Sequence, residues 1–132
     1  MESLKRPVEK EVAACVNELM NAAVSFHKLH LKVKGTGSYA AHKALNEIYD
    51  SLPDYADALA ETYQGAAEKI LDIPDSSPKK LQTVADAIAY LRTLHQMVTD
   101  LQGKLNFSEI INELDNVKSG IDQTKYKLLF LQ

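Results

Sequence analysis

Residues 7–37 read PVEKEVAACVNELMNAAVSFHKLHLKVKGTG, and this stretch decides the fold. Pro7 suits a first helical position, where its missing N–H would have no partner in any case. Val8, Val12, Val16, Leu19, Ala23 and Phe26 then recur at spacings of three and four, which puts them on one face of an α-helix. The same spacing arrives at His30. Gly35-Thr36-Gly37 is a helix stop followed by a turn, so this helix is expected from Pro7 to about Lys34.

Working outward, a second stripe of Ala41, Leu45, Ile48, Leu52, Tyr55 or Ala56, Leu59 and Tyr63 predicts a helix from about Ser38 to Gln64, ending at Gly65 or one turn later. Pro53 falls inside it, removes one hydrogen bond and is expected to kink it. Residues 72–78 (DIPDSSP) have turn chemistry without periodicity and read as a loop. A third helix is expected from about Lys79 to Gln102, with Leu81, Val84, Ile88, Leu91, His95 and Val98 in phase and Gly103 closing it. Asn106, three residues before Glu109, reads as the N-cap of a last helix. That helix carries Phe107, Ile110, Leu114, Val117, Ile121, Leu128 and Leu131 on one side. The longer of these helices would measure roughly 36–40 Å. Four rods with one apolar stripe each predict an all-α four-helix bundle.

Composition narrows the class further. A chain of 132 residues is expected to be a single domain over 1–132, and 45% apolar with 25% charged residues is ordinary for a globular fold. No apolar run is long enough for a bilayer, and no leader peptide is apparent. The single Cys15 allows no internal disulfide, so a cytoplasmic location is expected. A net charge of −3 argues against an electrostatic DNA binder. The basic residues Lys5, Arg6 and Lys10 are diluted by Glu2, Glu9 and Glu11, and Lys79-Lys80 is a small isolated spot.

The chemistry is concentrated on the second helix. His42 and Asn46 are four residues apart, as are Asp57 and Glu61, so each pair shares a face. His42 and Asp57 are nevertheless about 22 Å apart along the axis, whereas metal–ligand bonds are about 2.0–2.2 Å long. One copy of the helix cannot gather them on one ion; two antiparallel copies can. A two-fold axis between Ser51 and Leu52 sets His42 against Glu61 of the partner subunit and Asn46 against Asp57 of the partner subunit. The site then forms twice, as an isologous dimer requires, and His30 could complete each one. His27 and His95 read as structural residues. The chain has no Glu-x-x-His motif, no phosphate-cradling loop and no structural zinc spacing.

Leu29-His30-Leu31-Lys32-Val33-Lys34-Gly35, followed by Tyr39, His42, Asn46, Tyr49, Asp57 and Ala60-Glu61, resembles the Dps family of miniferritins, of the ferritin-like superfamily. The register runs from His30 to Glu61 without a gap, and the resemblance is specific over about residues 19–65. It implies a ferritin-like bundle assembled as a hollow homo-oligomer, a dodecamer in that family, in which Fe(II) is oxidised and ferric iron is stored. The iron ligands it implies are His30, His42 and Asn46 from one chain with Asp57 and Glu61 from its mate. Imidazole and carboxylate suit both Fe2+ and Fe3+. Asn46 stands where the family has an aspartate, and Leu31 where it has a tryptophan. The alternative function is therefore a non-catalytic ferritin-like oligomer that binds or sequesters a small ligand at its subunit interfaces.

Overall fold

The computed structural model describes the backbone of residues 2–131 and the side chains of residues 8–131. Among the described residues there are four α-helices and no strand: α1 (Glu2–His30), α2 (Ser38–Ala67), α3 (Val84–Gln102) and α4 (Ser108–Phe130). The expected all-α four-helix bundle is what the chain forms. α1 packs on α2, α2 on α4, α4 on α3 and α3 back on α1, which closes the bundle.

The short turn after α1 makes α2 antiparallel to it, and α4 returns antiparallel to α3. Between the pairs, residues 68–83 climb the length of α1. Lys69 pairs with Glu9 at 2.8 Å, the Asn17 and Asn21 amides donate to Ser76, and the Lys32 ammonium donates to the Leu81 carbonyl. α3 therefore starts at the end of the bundle where α1 finishes, and runs parallel to α2. One long crossover between two antiparallel helix pairs is the connectivity of ferritin-like bundles.

The stripes read from the sequence largely form the core. Val12, Val16, Leu19, Phe26, Leu45, Leu52, Leu59, Ile110, Leu114 and Ile121 are all fully buried. α3 is rotated from its expected face. Ala87, Tyr90, Leu91, Leu94, Val98 and Leu101 are buried, while Val84, Ile88 and His95 lie half-buried on its flank. Both sets have helical spacing, and simultaneous packing on α1 and α4 selects between them.

Helix ends differ more. α1 begins at Glu2 rather than Pro7, because residues 2–6 (ESLKR) carry no apolar repeat from which a helical period could be read. It ends at His30 rather than near Lys34; Leu31 and Lys32 donate back to the carbonyls of Lys28 and Leu29, which tightens the last turn. Gly35 (φ 90°) and Gly37 (φ 79°) then take left-handed conformations that a side chain would strain. α3 starts at Val84 rather than Lys79. Thr83 accepts from the Asp86 N–H at 3.0 Å, and the Asp86 carboxylate accepts from the N–H groups of Gln82 and Thr83. Those N–H bonds, Gln82 first, hold the Asp86 carboxyl below its usual range. The N-cap of α4 is Phe107 and not Asn106, with no side-chain cap; burial of Leu105 and packing of Phe107 on the core fix the start instead.

Two glycines make opposite predictions. A Cβ on Gly65 of α2 would meet nothing, so Gly65→Ala is expected to raise stability by about 0.5–1 kcal/mol in urea denaturation. A Cβ on Gly120 of α4 would lie 2.5 Å from the Tyr55 hydroxyl, so Gly120→Ala should give no such gain.

The α1–α3 seam holds a polar contact under the crossover. The buried Tyr90 hydroxyl donates to the Glu18 carboxylate, and the Lys79 ammonium lies 5.8 Å from the Tyr90 ring centre. Burial first, then this hydrogen bond and the Glu18 charge, push the Tyr90 phenol well above its ordinary value. A raised folded-state value favours the neutral phenol in the native protein. Its contribution is complete below about pH 10, the unfolded value, and is lost as pH rises above it. Tyr90→Phe is expected to cost about 1.5–3 kcal/mol at neutral pH. The variant should also lose less stability than the parent between pH 10 and 12, read from unfolding curves across that range.

Candidate metal centre

Three imidazoles meet where α1 ends and α2 begins. His30 continues the buried stripe of α1 after Phe26, so its ring is pulled inward and is only 7% exposed. The glycine turn brings α2 back alongside, and His42, in its second turn, stacks on His30 with ring centres 4.1 Å apart. The His42 Nδ1 lies 2.9 Å from the His30 carbonyl, and the His30 Nδ1 lies 2.9 Å from the His27 carbonyl. These carbonyls belong to the last turn of α1, where helical partners run out. A carbonyl oxygen only accepts, so both Nδ1 atoms carry a proton, and in the neutral rings each Nε2 keeps its lone pair. Among the described residues neither Nε2 has a hydrogen-bond partner.

Around this pair, Tyr49 stacks on His27 at 4.1 Å with the rings within 6° of parallel, and meets His30 edge-on at 4.9 Å. The Tyr49 hydroxyl donates to Asn46 Oδ1 at 2.6 Å, and Asn46 Nδ2 donates to Asp50 Oδ2 at 3.1 Å. Tyr49, Asp50 and His27 line an open cavity of about 330 Å³.

Asp57 and Glu61 are exposed on α2, beyond Pro53. Among the described residues neither makes an ion pair or side-chain hydrogen bond, and no three His, Cys, Asp or Glu side chains of one chain converge to hold a metal ion. One subunit thus brings together His30, His42 and Asn46, and leaves Asp57 and Glu61 apart from them. α2 is continuous through the exposed Pro53, which leaves the Tyr49 carbonyl without its helical donor.

The remaining candidates are structural. His95 faces Asp122 of α4 at 3.6 Å, a partner that its own helix does not supply. Cys15 is 1% exposed, and burial first, with Glu18 second, pushes its thiol up to about 12, which removes it as a nucleophile at neutral pH. Sequence reading missed Asp50, although its spacing of four from Asn46 was a usable signal. It also missed the contact between Glu18 and Tyr90, for which residues 72 apart give no local sign.

Residues 30–128 match the model of a family of unknown function (DUF5856), three-quarters of the chain. The chain belongs to this family. The matched segment begins at His30 and ends within α4, so His30 and His42 both lie inside it. A relative from Helicobacter pylori (strain J99), named DNA protection during starvation protein, is 30% identical over 92 residues, which are 70% of this chain and 57% of that protein. An uncharacterized 14.6 kDa protein from the mobD-ri intergenic region of Enterobacteria phage T4 is 38% identical over 68 residues, 50% of this chain and 51% of its own length. The chain spans little more than half the length of these curated relatives. No solved structure matches. Among the described residues, no helix is long and apolar enough to cross a membrane.

Proposed function

We propose that this DUF5856 protein is a ferritin-like iron handler that binds Fe(II) as substrate between two copies of the chain, oxidises it and retains the product. The observation that carries the reading is the His30–His42 pair. Two stacked imidazoles are fixed through Nδ1 to backbone carbonyls, with both Nε2 lone pairs left for a ligand. Anchoring the far nitrogen in this way is how metal-binding histidines are oriented. The donor set fits iron: imidazole from this chain, and carboxylate from Asp57 and Glu61 of the partner subunit, which exposure on α2 leaves free to pair across a two-fold axis. The distant Helicobacter pylori relative supports a ferritin-like relationship.

In such a site two Fe(II) each give up one electron to a peroxide oxidant. Its O–O bond breaks, two protons are taken up and two waters leave. The residues of this chain bind and orient the substrate ions, and carboxylates offset the charge that grows as iron becomes ferric.

The test is the particle mass by light scattering, before and after anaerobic Fe(II) and then peroxide. An assembly near twelve subunits taking up many irons per chain is the expected result. A small oligomer that holds little iron would overturn it. Asn46 favours a second reading, a non-catalytic oligomer that takes a small ligand at its interfaces, because its amide is occupied at both ends by Tyr49 and Asp50. Asn46→Asp separates the two. A large gain in oxidation belongs to a weakened iron site, and no gain with intact assembly belongs to a ligand pocket.

A further inference from the structure

Negative charge missing at position 46 is present one helical turn further along α2, at Asp50. Asn46 itself is poorly disposed to bind an ion. Its nitrogen has no lone pair for a metal, and one of its oxygen's two lone pairs is taken by the Tyr49 hydroxyl at 2.6 Å. What its amide does is hold Asp50 Oδ2 at 3.1 Å, which leaves Asp50 Oδ1 without a partner among the described residues. Asp50 is exposed and faces the cavity of about 330 Å³ that His27 also lines. The His27 ring plane is set by its stack on Tyr49, its centre is 5.4 Å from that of His30, and neither of its nitrogens is hydrogen-bonded among the described residues.

We propose that Asp50 and His27 form a second divalent-cation position beside the His30–His42 pair, with Asn46 and Tyr49 orienting Asp50 rather than binding the ion. This rests on the reading that the His30–His42 pair takes Fe(II). One imidazole and one carboxylate form a mixed nitrogen and oxygen set suited to a divalent first-row metal, with water filling the other positions. The Tyr49–Asn46–Asp50 chain supplies what such a carboxylate needs, one oxygen held by a hydrogen bond and the other free.

The experiment is an anaerobic titration of the full chain with Fe(II) alone, counting bound ions after equilibrium dialysis and checking each variant by circular dichroism. The parent is expected to hold two Fe(II) per chain, and Asp50→Asn and His27→Ala one each. Tyr49→Phe should keep both ions with the second weakened about 10–100-fold, the effect of losing an orienting contact. Two ions bound undiminished by Asp50→Asn and His27→Ala would overturn the second position. So would a single ion in the parent that His42→Ala removes, and in that case the His30–His42 reading stands. No ion in the parent overturns both. An unchanged second affinity in Tyr49→Phe overturns the orienting role of Asn46.

Discussion

His42→Ala is expected to abolish saturable Fe(II) oxidation, leaving only the background rate, while the bundle remains folded. His42 contributes one of the two Nε2 lone pairs at the candidate centre, and its Nδ1–H is fixed at 2.9 Å from the His30 carbonyl. Alanine removes the donor atom and also the ring against which His30 is stacked, so the surviving imidazole loses one of the contacts that orient it. Losing only an orienting contact at a metal site costs about 10–100-fold in affinity, so losing a ligand and an orienter should exceed about 100-fold. Stability should fall far less. His42 is half-buried, and the neutral hydrogen bond it gives up is worth about 0.5–1.5 kcal/mol. Stopped-flow oxidation at rising Fe(II), paired with the far-ultraviolet circular dichroism of each variant, decides the matter. Parent-like saturation in a folded His42→Ala protein would remove the histidine pair from the mechanism.

The largest expected effect on stability comes from Phe26→Ala, at about 3–5 kcal/mol. Phe26 is among the largest fully buried side chains, and its ring meets Tyr90 of α3 at 5.5 Å between centres. Its removal loses the transfer free energy of a benzyl group and leaves a cavity between α1 and α3, which the long helices cannot easily close. Against a total of about 5–15 kcal/mol for a domain of ordinary stability, one such change takes a large share. Urea unfolding followed by circular dichroism gives the value. Val24→Ala, on the outer side of the same helix at 40% exposure, is the control and should shift the curve by less than about 0.5 kcal/mol. A Phe26→Ala cost no larger than this control would mean that the α1–α3 seam does not carry the core.

Legibility followed the range of the interaction that set each feature. The stripes of α1, α2 and α4 were readable because helical periodicity is a local pattern imposed by one buried face, and Val12, Leu45 and Leu114 needed no partner to be named. The face of α3 was not, because Val84, Ile88 and His95 repeat as regularly as Ala87, Leu94 and Leu101, and only two flanking helices decide between them. The start of α3 was missed although Thr83 and Asp86 have cap spacing, since Leu81 extended the apolar pattern backward. Leu81 is buried, but in the crossover.

The candidate centre divides the same way. Sequence alone determined that His30 falls on the inner face of α1, that His42 and Asn46 share a face of α2, and that no single helix can gather His42 with Asp57, because these are consequences of rise and turn per residue. Only the tertiary structure decided that the His30 and His42 rings stack, which nitrogen of each keeps its lone pair, and that Asn46 spends its amide on Tyr49 and Asp50. Those outcomes depend on how closely the glycine turn lays α2 against the last turn of α1, where unpaired carbonyls wait for donors. Periodicity fixes which side a residue faces, and hydrogen-bond partners are settled by distances of a few ångströms between chain segments that the periodicity does not record.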